Sequence, residues 1–238
     1  MERDMSGHGT LRRTPICTLL RAPVDGAPVI ATGWVKTSRF SKNVSFVHLF
    51  DGSSPDTVQV VLTAEQAEAH KNDLSIGASV RVVGRWAASP AAGQPFEIAA
   101  ETVEILGQSD ATAYPIQRKA TSFEHLRTIA HLRPRTNTFQ SVFRLRNQLA
   151  WQIHRFFQER GFMWVHTPII ASSDCEGAGE MFEVRAGDAP EGFFGGPTYL
   201  TVSGQLEVET FAQAFTDVYT FGPTFRAENS NTVRHANE

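Results

Sequence analysis

The residues best suited to do chemistry lie among the last fourteen of the sequence. In Phe225-Arg226-Ala227-Glu228-Asn229-Ser230-Asn231-Thr232-Val233-Arg234-His235, Arg226 and Glu228 fall two residues apart, on one face of a strand end. A polar loop then leads to a second cationic pair, Arg234-His235. A guanidinium offers planar, paired donors to phosphate or carboxylate, and a distal Arg-His pair can hold the outer phosphates of a triphosphate. The same pattern also describes a solvated hairpin tip.

A second set lies in the first half. Five short, partly alternating segments read as strands: Val29 to Val35, Val44 to Phe50, Val58 to Leu62, Ser79 to Gly84 and Phe96 to Ala99. Turn chemistry such as Asp51-Gly52-Ser53 separates them, and one short helical stretch runs from Thr63 to His70. About five strands with one helix fit a small closed barrel of the oligonucleotide-binding (OB) type, although other small barrels share the pattern. Phe46 and Gln59 fall on strands two and three, the face with which such barrels read single-stranded nucleic acid. An exposed ring can stack on a base and an amide can bond its edge; an inward core aromatic is the alternative for Phe46.

The elements that must position the first set follow a connector, Gly107 to Arg135, that contains Tyr114-Pro115 and His131-Leu132-Arg133-Pro134-Arg135 and reads as a hinge with little core. Phe139, Val142, Phe143, Leu149, Ile153, Phe156 and Phe157 then recur at helical steps, with Gly161 placed as a C-cap. The breadth of this apolar face predicts a core or interface helix. Phe162 to Val165 reads as a strand ended by Thr167-Pro168, and Val218 to Arg226 as another.

With 238 residues, 41% of them apolar, the chain holds one large or two ordinary domains. The charges, 22 basic against 25 acidic, exclude a bulk polyanion binder, but their placement is uneven. Residues 118–160 carry 9 basic and 2 acidic side chains, and residues 161–238 carry 3 and 11. The basic middle could follow nucleic-acid phosphates or solubilise a hinge and helix. Cys17 and Cys175 are too distant for a metal knuckle and are expected as packed, reduced thiols; no histidine spacing suggests a transition metal. The apolar runs are short and the first ten residues polar, so neither a membrane span nor a secretory signal is expected, and the cytoplasm is the expected compartment.

The segment FRAENSNT followed by RH resembles motif 2 of the class II aminoacyl-tRNA synthetases, in its asparaginyl form. GWVKTSRFSKNVSF, HLRPRTNTF, GFMWVHTP (similar to motif 1), SSDCEGAGEMF and TVSGQLEVET agree in order, so the resemblance spans about Gly33 to Glu238. It implies an α+β, multidomain protein. Its parts would be an OB-fold anticodon-binding barrel (residues 14–107), a hinge (108–135) and the first part of an antiparallel-sheet catalytic domain (136–238). The implied activity is that of an asparagine–tRNA ligase, with asparagine, ATP and tRNA(Asn) as partners, Mg²⁺ as cofactor and a homodimer as the assembly.

Site residues follow from the same resemblance. Glu176 would meet the substrate ammonium, Gln205 would lie along the substrate, and Glu209 would accept from the side-chain amide. Arg226 would hold the carboxylate and α-phosphate, Glu228 the adenine side, and Arg234 with His235 the γ-phosphate. Arg39, Phe46, Gln59 and Glu97 would contact the anticodon. The family's motif 2 reads on through RHLAEF, whereas here it reads Arg234-His235-Ala236-Asn237-Glu238, and Val233 stands where serine is common. Motif 3 and the acidic Mg²⁺ ligands would lie further on. The expectation is therefore an amino-terminal part of the synthetase, inactive alone, in which the strand to Arg226 lacks its partner; the alternative is a catalytically dead tRNA-binding or dimerisation protein derived from it.

Overall fold

The computed structural model describes residues 12–21, 25–90, 93–116, 121–173, 177, 180–187 and 194–227. Glu176, Glu228, Arg234, His235 and Cys175 lie outside them. The chain divides into two compact units, residues 1–144 and 145–238.

The first unit is built on a closed five-stranded barrel of β1 (Pro28–Arg39), β2 (Val44–Phe50), β3 (Val58–Thr63), β4 (Ser79–Ala88) and β5 (Phe96–Gly107). The strand order is β1-β2-β3-β5-β4, antiparallel except for the β3–β5 closure. All five sequence-predicted strands occur, with β1, β4 and β5 longer than expected. Alternation explains the core. Val29, Ala31 and Val35 on β1, Val47 and Leu49 on β2, Val58, Val60 and Leu62 on β3, and Val80 and Val82 on β4 all point inward and are buried. Gly33 and Gly84 sit where a Cβ would strike the neighbouring backbone at Phe50 and Ala99, so the strands can close only around glycine.

Short helices complete this unit. α1 (Ile16–Arg21) was not predicted; it buries Ile16 and Leu19 against the barrel. Asp51, its side chain 1% exposed, holds that helix by accepting from Arg13 and the Ile16 N–H as well as from Ser53. Burial would raise its pKa, but the bonds from Ser53, Ile16 and Arg13 outweigh this and hold the carboxyl below its ordinary range. Cys17 is a free thiol, half-buried on α1 between the buried Ile16 and the exposed Thr18. α2 (Ala64–His70) starts at a capping box between Thr63 and Gln66. In the connector, α3 (Phe123–Thr128) is capped by Ser122 and buries Leu126.

α4 (Asn137–Gln158) matches the predicted helix in position, and of the two roles expected for it, core or interface, the core one does not hold within this chain. It has no buried residue, and Leu145, Leu149, Trp151 and Phe156 are at least half exposed. In the second unit β6 (Met163–Trp164) pairs in parallel with β9 (Val218–Tyr219), and β7 (Ile170–Ala171) pairs antiparallel with β8 (Tyr199–Leu200). α5 (Gln205–Phe215) lies between β8 and β9. The strand expected over Val218 to Arg226 stops at Tyr219, and β6 pairs one of its two edges. Pro223 has no N–H to give a ladder, and the next donors bond single carbonyls instead.

Candidate functional site

On the barrel, the four predicted nucleic-acid contacts come to one outer face. Arg39 at the end of β1 is paired in register with Phe46 on β2, Phe46 with Val61 on β3, and His48 with Gln59. Phe46 lies between buried Ser45 and Val47 and so points out, which excludes the core alternative for its ring. Gln59, between buried Val58 and Val60, points the same way.

Glu97, 9% exposed, closes this face. Its Oε2 accepts from Gln59 Nε2 at 2.8 Å, Ser89 Oγ at 2.9 Å and Gln94 Nε2 at 3.2 Å. A carboxylate is acceptor-only, so it turns the NH₂ of Gln59 inward and leaves the amide oxygen as the outward group. The surface thus offers a ring face, a cation and a fixed acceptor, which suits stacking on a base and bonding to an N–H on its edge. Ser89 and Gln94 were missed by sequence reasoning. Their signal, two polar residues flanking the turn before Glu97, has no spacing rule.

In the second unit three separate segments meet. The Phe225 N–H donates to Thr201 O at 2.9 Å, and the Ala227 N–H to Glu180 O at 2.8 Å. Arg226, between them and exposed, is therefore fixed beside the strand end that leads into α5 and beside the segment that follows Glu176. The turn into α5 is ordered locally. Thr201 Oγ1 donates to Ser203 O, Ser203 Oγ accepts the Gln205 N–H, and a Cβ on Gly204 would strike Thr167. On the first exposed turns of α5, Gln205 Nε2 donates to Glu209 Oε1 at 2.9 Å, the i,i+4 spacing that brings such pairs together. A guanidinium, an amide and a carboxylate are so presented near one turn, the set that an amino acid and a phosphate require. Among the described residues, no three His, Cys, Asp or Glu side chains are grouped to hold a metal ion.

Barrel and second unit together define a protein class. Residues 29–106 match the OB-fold nucleic acid binding domain, and residues 123–238 match the class II tRNA synthetases of the D, K and N group. The chain belongs to the class II aminoacyl-tRNA synthetases. Within that class it is similar to the asparagine–tRNA ligases of Geotalea uraniireducens (53% identity over 95% of this chain and 52% of the relative) and Nostoc sp. (50% over 94% and 51%). Among solved structures it is similar to the asparaginyl-tRNA synthetase of Pyrococcus horikoshii complexed with asparaginyl-adenylate, at a TM-score of 0.80 and 25% identity over 94% of this chain and 50% of that one. The Entamoeba histolytica asparaginyl-tRNA synthetase in complex with asparaginyl-adenylate gives 0.74 and 25% over 91% and 49%. The chain spans about half the length of the curated relatives it matches.

Proposed function

We propose that these residues are the tRNA-reading barrel and the first part of the adenylate-forming domain of an asparagine–tRNA ligase, with residues 14–107 reading the anticodon, 108–135 as a hinge and 136–238 contributing to catalysis. The observation that carries the reading is the meeting of the segments at Glu180, Thr201 and Arg226, each of which holds a family motif. In the reaction an asparagine carboxylate oxygen attacks the α-phosphorus of ATP and pyrophosphate leaves; a terminal ribose hydroxyl of tRNA(Asn) then attacks the acyl carbon of the adenylate, and AMP leaves. Arg226 pairs with the carboxylate and the α-phosphate, so that two anions can approach. Glu209, already oriented by Gln205, accepts an N–H of the substrate's side-chain amide and repels the carboxylate of aspartate. Glu176 receives the ammonium, Glu228 the adenine, and Arg234 with His235 the outer phosphates. Arg39, Phe46, Gln59 and Glu97 contact the anticodon.

Mg²⁺ belongs to the same reading, where it would offset the charge of the triphosphate; among the described residues no three His, Cys, Asp or Glu side chains are grouped to hold it. The cytoplasm is the proposed compartment; among the described residues no helix is long and apolar enough to cross a membrane. A homodimer belongs to the same reading, and the apolar side chains that α4 leaves open support it. The test joins this chain to the carboxy-terminal half of the Geotalea uraniireducens enzyme and measures ATP–pyrophosphate exchange. Exchange dependent on asparagine, indifferent to aspartate and lost with Arg226→Ala is expected. Exchange driven equally by aspartate, or unaffected by Arg226→Ala, would refute the assignment.

A further inference from the structure

Within the first unit, a cavity of about 460 Å³ opens between β1 and the connector. Trp34, Lys36 and Phe50 come from the barrel, Tyr114 and Ile116 from the connector, and Arg135 from the turn before α4. Lys36 falls at a bulge, where the β1–β2 register shifts between Val35 and Thr37, and bulges re-aim side chains. Its Nζ stands 5.2 Å from the Phe50 ring centroid and donates to Asn137 Oδ1. The Arg135 guanidinium lies 4.4 Å from the Trp34 centroid and donates to the Tyr114 hydroxyl.

Two cations thus face one cavity, and no described lining residue is acidic. Neither makes an ion pair among the described residues. Burial lowers the Lys36 pKa, and the more distant Asp56 offsets this only in part. An ammonium held in this way is stabilised by an anion entering the cavity. The space is several times that of a phosphate ion, and its aromatic and aliphatic walls suit a planar, weakly polar group beside the charge.

We propose that this cavity binds a nucleotide, its phosphate paired with Lys36 and Arg135 and its base against the walls formed by Trp34, Ile76 and Ile116. The proposal is independent of base reading at Phe46 and Gln59. The nucleotide could be free or part of an RNA strand crossing the barrel, and the two are separated by experiment. The 238-residue chain is titrated by calorimetry with nucleoside 5′-monophosphates, inorganic phosphate and a ten-nucleotide single-stranded RNA. For a free nucleotide, the monophosphates bind with Kd below about 1 mM and inorganic phosphate does not. Binding then weakens about tenfold or more in Lys36→Met, as for a lost charged hydrogen bond, and persists in Lys36→Arg. Ile76→Trp fills the cavity with both cations in place and also abolishes binding, while Lys71→Met, an exposed cation elsewhere, leaves it unchanged. For a nucleotide within a strand, RNA alone binds and shows the same variant pattern. Circular dichroism confirms that each variant is folded. If neither ligand binds, if inorganic phosphate binds as well as the nucleotides, or if folded Ile76→Trp binds normally, the proposal is overturned.

Discussion

The barrel and the second unit solve the same problem, presenting a polar site, with unequal means. The barrel has a continuous core of seventeen buried side chains, from Ile16 to Ile98, and its outer face rides on ladders fixed by that core. Among the described residues of the second unit, the buried hydrophobics are Val165, Val202 and Tyr219, and the segments around Arg226 are joined by scattered backbone bonds rather than by long ladders. Local stability follows buried apolar contact, so the two sites rest on supports of different stiffness.

The largest effect should separate those supports directly. Leu49 is fully buried in the barrel and Leu149 on α4 is 52% exposed. Leu49→Ala should cost about 2 to 5 kcal/mol, and Leu149→Ala less than about 0.5 kcal/mol. Urea unfolding followed by circular dichroism measures both. Equal losses would mean that α4 is packed in solution and that the contrast between the units is false.

The next two predictions ask whether function tracks the support. Glu209 is exposed, so Glu209→Gln in the chimeric synthetase should leave folding intact. Weakening a charge-assisted acceptor costs about 1.5 to 3 kcal/mol, which predicts a tenfold or greater loss in kcat/KM for asparagine with little change for ATP. Equal losses for both substrates would give Glu209 a structural role. On the barrel, Phe46→Ala should weaken single-stranded RNA or anticodon-arm binding by about 1 to 3 kcal/mol with strong salt dependence. It should leave the melting temperature almost unchanged. A less stable barrel with unaltered RNA affinity would place the ring in the core after all.

The same contrast decides what the sequence could tell. Period-two alternation needs only neighbouring residues, so the barrel strands and the outward set of Phe46 and Gln59 were legible. The Gln59–Glu97 bond joins residues 38 apart and depends on the β3–β5 closure, which no local pattern announces. α4 was legible as a helix because its apolar spacing is regular, yet that spacing says nothing about what covers it. The expected strand through Arg226 failed for a related reason. Its composition favours extension, but Pro223 and the scattered acceptors at Thr201 and Glu180 decide that no ladder forms. α1 escaped notice because six residues, Ile16–Arg21, carry too few turns for a period. What announces α1 in space is Asp51, 35 residues from Ile16.

Asp51 also gives the smallest predicted effect and a check on how independent the barrel is. Its carboxyl takes the Ile16 N–H at 3.0 Å, Arg13 at 3.1 Å and both donors of Ser53, and these bonds favour the charged form more than burial opposes it. The folded pKa is thus below the unfolded one, near 4. A depressed acid contributes stability that is present above the unfolded pKa and lost as pH falls through the folded pKa. The barrel should therefore melt at a lower temperature at pH 3 than at pH 6, and part of that difference should vanish in Asp51→Asn, which has no charge to lose. The second unit has no buried acid held in this way among its described residues; its depressed carboxyl, Glu183, is bonded by Arg185 on the surface, where such pairs contribute little. Acid should then act first on α1 and the barrel end it covers, an order that hydrogen exchange at Ile16 and Leu19 between pH 6 and pH 3 can follow. If Asp51→Asn keeps the full acid sensitivity, the staple is not what ties α1 to the barrel, and the buried faces of Ile16 and Leu19 do so alone.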